Sequence, residues 1–389
     1  MIDRPSRLSP DLCKPIKAFD FFSGCGGASA GLRAAGLDIA LGLDNDLDAG
    51  RTFQANFAEA EFVCANIEEV SEESLDEIVG RWVGHPLLFN ACAPCQPFSR
   101  QRRGTGPPDD KRLGLLNHLL RFVHRHQPEL IFAENVPGLR DGSAGREIFV
   151  GFVRRLRDLG YCTNHSVVRS QDYGVPQRRA RLVLLASMLG PIGPPAKTHG
   201  PGTRQPEYAN VSDWIRGLPE IVAGESHPLI PNHRAARLSS LNLQRIRATP
   251  PGGGWRDLPF RLLPDSRKSG FGGFTDVYGR LKWDSPAPAL TTRCISYSNG
   301  RFGHPDQDRA ISVREAACLQ TFPLDFEFVG SLNSQARQVG NAVPALLAQQ
   351  FGQRMTDHLA GIARGVGGLS NPVPTVADGS NPELNQQHG

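Results

Sequence analysis

Between residues 16 and 190, short apolar runs alternate with stretches whose apolar residues recur at helical spacing. This alternation constrains the fold more than any other feature of the chain. The pattern predicts strands over 16–22, 38–43, 61–67, 86–91, 130–133, 163–168 and 181–186. It predicts helices over 28–35, around Ala49, Phe53 and Phe57, over 72–79, along the stripe Leu113, Leu116, Leu119, Leu120 and Val123, and over 146–159. Strands that alternate with helices assemble into a mostly parallel sheet covered on both faces, a Rossmann-like α/β fold. Such sheets place their ligands beyond the carboxyl ends of the strands. The loops leaving those ends are therefore where chemistry is sought.

The texture changes at residue 190. Pro191, Pro194, Pro195, Pro201 and Pro206 interrupt any long element, and two glycine-rich stretches follow, 252–254 and 270–273. Residues 191–332 are expected to form a smaller, loop-rich domain with its hinge, after a first domain over 16–190. Helical pattern returns at 313–319 and 342–359, and residues 333–364 are expected to rejoin the first domain. Residues 1–15 read as an N-terminal extension. Residues 365–389, rich in Gly, Asn, Pro and Ser, read as a disordered tail.

Charge is uneven. Residues 191–280 hold twelve Lys or Arg against seven Asp or Glu, while the whole chain carries +4. Only six of its 43 basic residues are lysine. Arginine presents the planar fork that matches phosphates and guanine edges, although a GC-rich coding sequence gives the same bias. No stretch approaches the roughly 20 apolar residues of a membrane span. The polar start lacks the apolar core of a secretory signal, so the expected location is the cytoplasm.

Five segments beside predicted strands carry reactive groups. Asp20-Phe21-Phe22-Ser23-Gly24-Cys25-Gly26-Gly27 lies between the first strand and first helix, where glycines permit a tight turn and close approach to a ligand. Asp44 ends the second strand twenty residues past Gly24, a spacing that suits a carboxylate on ribose hydroxyls. A dinucleotide-binding protein uses the same logic, but Ser29 stands where the third Gly or Ala of that fingerprint falls. Pro94-Cys95-Gln96-Pro97 leaves the fourth strand, and its prolines stiffen the loop around a thiol. Cys92 and Cys95 form a CxxC, but no second pair completes a zinc site, and no metal is expected. Glu134 ends an apolar strand, where burial would raise its pKa. In Gln177-Arg178-Arg179-Ala180-Arg181, alternation along a strand points Arg179 and Arg181 together and Arg178 away.

In these loops, and in Glu134-Asn135-Val136, the chain resembles the cytosine-C5 DNA methyltransferases, which use S-adenosylmethionine (AdoMet). The resemblance covers nearly residues 16–352, with the motifs in family order. It implies that Asp20, Phe22, Ser23, Gly24, Gly26, Gly27, Asp44, Asn45, Pro94, Leu115 and Asn341 surround the cofactor. Phe22 would pack near the adenine and Asp44 would take the ribose. Asn66 and Ile67 stand where the family usually has Asp-Ile. The resemblance makes Cys95 the nucleophile. It puts Glu134 on the cytosine N3 and amino group, Arg181 near O2, and Arg179 beside it in support.

That assignment meets the demands of the ring. Carbon 5 of cytosine is a poor nucleophile, and thiolate addition at C6 gives it enamine character. The resemblance also implies double-stranded DNA as partner, with Gln96, Ser99, Arg100, Arg102 and Arg103 following the nucleophile in a basic loop. Residues 191–300 match the family's target-recognition region. Arg234, Arg237, Arg245, Arg247, Arg256, Arg267 and Lys268 are candidate contacts there, and phosphate contact is the commoner role for any one of them. A cognate restriction endonuclease and a monomeric state complete the expectation. A related group that methylates cytosine in tRNA, and a binding protein that has lost activity, remain as alternatives.

Overall fold

The computed structural model describes residues 9–94, 114–268 and 276–365. In chain order the first half contains β1 (Lys17–Phe21), α1 (Gly27–Ala34), β2 (Asp38–Asp44), α2 (Leu47–Asn56), β3 (Glu61–Cys64), α3 (Asp76–Gly80), β4 (Leu87–Ala91), α4 (Leu115–His126), β5 (Leu130–Asn135), α5 (Gly138–Asp141), α6 (Ser143–Asp158) and β6 (Cys162–Arg169). β7 (Gln177–Arg178) and β8 (Ala180–Ser187) follow. The smaller region holds α7 (Val211–Ile215), α8 (Ser240–Ala248), α9 (Asp265–Lys268) and β9 (Ala287–Pro288). Then come α10 (Val313–Leu319), α11 (Leu332–Asn341) and α12 (Ala345–Ala363).

Seven strands form one sheet in the order β3-β2-β1-β4-β5-β8-β6. Every neighbouring pair is parallel except those made by β8, which runs against both β5 and β6. The reversal follows from chain length. No helix of crossover length lies between β6 and β8, and an antiparallel return needs none.

Alternation along the strands sends side chains to two cores. Phe19, Phe21, Phe89 and Ile131 point to the face covered by α4 and α6, against Leu119, Phe122, Phe152 and Leu156. Ala18, Leu88, Phe132 and Leu185 point to the other face, against Leu32 of α1 and Leu347, Phe351 and Met355 of α12. Gly31 makes the α1–α12 contact possible, since a Cβ there would lie 2.0 Å from the Ala345 carbonyl oxygen. A third core joins Phe53 of α2 and Phe57 just past its end to Leu290, Cys294, Val313 and Phe322.

Several boundaries differ from expectation for local reasons. β3 stops at Cys64, and Asn66 turns the chain by accepting from the Glu68 N–H (3.3 Å). The helix expected over 72–79 begins as a 3-10 turn before α3. The sequence pattern gives no helix over 332–341, where α11 forms, and Pro344 separates it from α12, which starts at Ala345 rather than at 342. Among the described residues no helix is long and apolar enough to cross a membrane.

Candidate active site

The carboxyl ends of β1, β2, β4 and β5, together with the start of β8, surround a cleft of about 290 Å³. Asp20 lies one residue before the end of β1, and Phe22, Ser23, Gly24 and Gly27 belong to the segment above it. Asp44, Asn45 and Asp46 come from the end of β2, and Cys92, Ala93 and Pro94 from the exit of β4. Glu134 comes from β5 and Arg179 and Arg181 from the β7–β8 junction. Arg337, Gln338 and Asn341 of α11 close the far side.

The loop after β1 is held in a constrained conformation. Phe22 adopts φ 64°, rare for a residue with a side chain, and Gly24 and Gly26 adopt φ 52° and 91°. A Cβ on Gly26 would lie 2.5 Å from the Phe57 ring, so that glycine serves packing and does not line the cleft. Asp44 fixes the loop from below. Its Oδ2 accepts from the Gly24 N–H (2.8 Å) and its Oδ1 from the Asp46 N–H (2.9 Å). Burial raises the Asp44 pKa, and those two N–H groups oppose the rise. A carboxylate has about four acceptor positions, so each oxygen keeps capacity for a ligand hydroxyl.

Deeper in the cleft, Asp20 is 1% exposed. Ser29 Oγ donates to its Oδ2 and Asn90 Nδ2 to its Oδ1, each at 2.5 Å. Burial pushes its pKa up to about 7 against the pull of those two bonds. Ser23 Oγ is buried with no hydrogen-bond partner. A cleft with Asp20, Asp44 and Asp46 at one end, and a buried hydroxyl lacking a partner, suits a polar ligand rich in hydrogen-bonding groups. Arg337, the cation at that end, is already paired with Asp46 (2.9 Å).

At the other end, Glu134 Oε1 lies 2.7 Å from Arg181 Nε, with both side chains largely buried. The approach is off the N–H axis, so this oxygen is paired in charge but has no aligned donor. Arg181 Nη1 donates to the Ala180 carbonyl (2.7 Å). Asn135 holds the loop after β4, donating from Nδ2 to the Ala93 carbonyl (3.1 Å). The Cys92 thiol is pushed well above its ordinary pKa, by burial first and then by the charges of Glu134 and Asp20, so it stays protonated and inert.

Arg179 requires a correction. It shares the cleft with Arg181, but its guanidinium donates to the carbonyls of Leu290 (3.0 Å), Gly340 (3.4 Å) and Ala342 (3.2 Å). It thereby joins chain segments rather than offering donors to a ring. Asn66, Ile67 and Leu115 do not line the cleft. Ile67 and Leu115 pack with the core under α4, and Asn66 bonds within its own turn. Arg245 is no surface contact either. It is 8% exposed, donates to the Leu262 carbonyl (2.8 Å) and lies over the Tyr278 ring.

Arg234, Arg237 and Arg256 are exposed, the last over the Trp255 ring at 5.5 Å. Arg247 is paired with Asp308 and Lys268 with Asp265. Cys95, Gln96, Ser99, Arg100, Arg102 and Arg103, and the Arg267 side chain, lie outside the described residues. Sequence reasoning missed Arg337 and Gln338. Both stand one turn before Asn341, so a helix placed there would have carried them to the same face.

Comparison with known proteins decides the family. The model of C-5 cytosine-specific DNA methylases matches residues 16–357. The chain belongs to that family. It is 39% identical over 359 residues to the Type II methylase M.HgiDII of Herpetosiphon aurantiacus, covering 88% of this chain and 96% of the relative. It is 33% identical to the Type II methyltransferase M1.HphI of Haemophilus parahaemolyticus, covering 88% and 87%. Among solved structures, a protein encoded within an E. coli prophage shares the fold with a TM-score of 0.64 at 23% identity, covering 89% of this chain and 99% of that one. The Entamoeba histolytica methyltransferase EhMeth shares it at 0.60 and 17%, covering 89% and 99%. The protein is therefore a DNA (cytosine-5-)-methyltransferase, and methyltransferases of this family generally use AdoMet.

Proposed function

We propose that this enzyme transfers a methyl group from AdoMet to carbon 5 of a flipped-out cytosine in a specific duplex sequence, through a covalent bond between Cys95 and carbon 6. The observation that carries the reading is the meeting of Glu134 and Arg181 in the same cleft as Asp44, beside Pro94. Cys95 follows Pro94 directly in the chain.

The carboxylates suit a cofactor whose sulfonium and ammonium are cationic. Asp44 would take the ribose hydroxyls, Phe22 and Asn45 would lie at the adenine, and Ser23 and Asn341 would hold the methionine end. When bound, the cofactor supplies an electrophilic methyl group. The Cys95 thiolate adds to C6, and the ring electrons shift toward N3. A proton shared between Glu134 and N3 neutralises the charge that develops there and leaves N3 as carbon 5 takes the methyl group, while the other carboxyl oxygen accepts from the amino group, which recognises cytosine. Arg181 keeps that carboxyl oriented. After methylation, loss of the C5 proton lets the C5–C6 double bond re-form and expels the thiolate.

The basic block over 191–280 and the exposed Arg234, Arg237 and Arg256 support duplex DNA as substrate. Extrusion of the base costs about a few kcal/mol. The Type II names of the relatives support a restriction-modification system, with an endonuclease acting on the same site. DNA as substrate supports the cytoplasm.

The test combines methyl transfer and trapping. Purified protein should move labelled methyl from AdoMet into duplex DNA and not into tRNA, and bisulfite mapping of the product should give one sequence. A duplex carrying 5-fluorocytosine at that site should form a covalent adduct with wild type and none with Cys95→Ser. Adduct formation by Cys95→Ser, or methylation of tRNA in place of DNA, would overturn the proposal.

A further inference from the structure

α11 is capped at its C-terminus from distant parts of the chain. A helix leaves its last four carbonyls without partners inside the helix. Here Gln320 Nε2 donates to the carbonyls of Val339 (2.6 Å) and Ala342 (3.1 Å). Arg179 donates through Nη1 to Gly340 and through Nη2 to Ala342. A cation at this end is further stabilised by the helix dipole. The same Nη1 reaches Leu290, whose own N–H donates to Gln177 Oε1 (3.0 Å). Gln177 Nε2 in turn donates to Gln320 Oε1 (2.9 Å), closing a buried ring of side chains. Gln177 and Gln320 are 0% exposed and Arg179 5%.

Two functional parts meet at this ring. Asn341, a wall of the cleft, lies between the two carbonyls that Arg179 holds, and Arg337 and Gln338 precede it by one turn. Leu290 follows β9, a strand of the small region that pairs with β7. The segments touch directly, since a Cβ on Gly340 would lie 2.0 Å from the Thr291 carbonyl oxygen. A displacement of the 290 segment is thus transmitted to Asn341 through one guanidinium and one backbone contact.

We propose that Arg179 is a positioning residue that couples the cofactor cleft to the small domain, so that cofactor and DNA change each other's affinity. This rests on the reading of the cleft as the AdoMet site and of residues 191–332 as the DNA-engaging part. Coupling of two sites is reciprocal, so it can be read from either ligand.

The experiment measures S-adenosylhomocysteine binding by calorimetry on the full chain, with and without a duplex bearing the mapped site. Wild type should bind it more tightly on DNA, by a factor within the roughly 5- to 150-fold range of such couplings. Arg179→Lys keeps the charge but loses the fork that spans separate carbonyls, and its factor should fall below about two. Gln177→Met releases the Leu290 N–H from outside the cleft and should also lower the factor, which keeps the test open if Arg179→Lys does not fold. A wild-type factor of one, or a factor unchanged in either folded variant, overturns the coupling. Failure of wild type to bind S-adenosylhomocysteine at all would instead sink the cofactor reading.

Discussion

Acid should loosen the small region through His304, in steps that the geometry specifies. The imidazole is 3% exposed, and its Nδ1 accepts from the N–H groups of Asp306 (3.2 Å) and Gln307 (3.0 Å). Its Nε2 lies 3.7 Å from Glu315 Oε1, within a carboxylate that Arg309 already grips at 2.7 Å on both oxygens. A proton on Nδ1 would face two donors. Burial, joined by the Arg309 and Arg280 guanidinium groups, drives the His304 pKa from 6.5 down to about 4, against the pull of Glu315 and Asp306.

Between those values the unfolded chain binds a proton that the native protein refuses. Stability is complete above pH 6.5, falls as pH drops through the window, and levels below about 4. Each unit corresponds to about 1.4 kcal/mol, so the window is worth about 3 kcal/mol. The assay is urea unfolding at several pH values from about 7.5 to 5, followed by tryptophan fluorescence. Trp283 packs edge-on against His304 with ring centroids 5.3 Å apart and reports on this site. His304→Gln retains an acceptor but not the titration, so the stability difference between wild type and variant should move by about 2 kcal/mol across that range. A difference that stays flat with pH would refute the reasoning.

Asp20 works in the opposite direction. Its carboxyl stays protonated in the native protein up to about pH 7, while in the unfolded chain it ionises near 3.8. This group alone lowers stability as pH rises through that window, by about 4 kcal/mol in all. Asp20→Asn should remove that slope, so that the variant gains on wild type between about pH 4 and 7 in the same urea assay. Gly31→Ala would drive a Cβ into the Ala345 carbonyl and force α1 from α12, with an expected loss of about 1–3 kcal/mol by thermal melting. Asp44→Ala leaves the Gly24 and Asp46 N–H groups without their acceptor, and S-adenosylhomocysteine affinity should fall at least about tenfold in calorimetry.

Residues whose placement follows from a strand end were legible in the sequence, and those placed by distant packing were not. Asp20, Asp44, Glu134 and Arg181 each close or open an apolar run, and the pleat delivers them to the cleft whatever the rest of the chain does. α11 has only Leu332, Ala336 and Val339 as an apolar stripe, too little to announce a helix. Its C-terminus is completed by Arg179 and Gln320, far away in sequence. The same blindness affects arginine. Arg245 and Arg256 look alike in a basic block, yet a carbonyl at Leu262 and the ring of Tyr278 bury the first. Nothing near Arg245 in the chain signals those partners.

The reversed strand is where fold and chemistry constrain each other most tightly. Glu134 sits at the carboxyl end of β5 and pairs across to Val183. Arg181 precedes Val183 by two residues, so it projects on the same face as a diagonal neighbour of Glu134, within reach of a long side chain. Were β8 parallel, its start would lie at the opposite edge of the sheet. Eight residues at about 3.3 Å each would then put the guanidinium roughly 25 Å from the carboxylate. Only an antiparallel β8 lets an arginine at the beginning of a strand meet a glutamate at the end of its neighbour. The strand's polarity, set by the short return from β6, is therefore a condition for the ion pair and not an incidental feature of the topology.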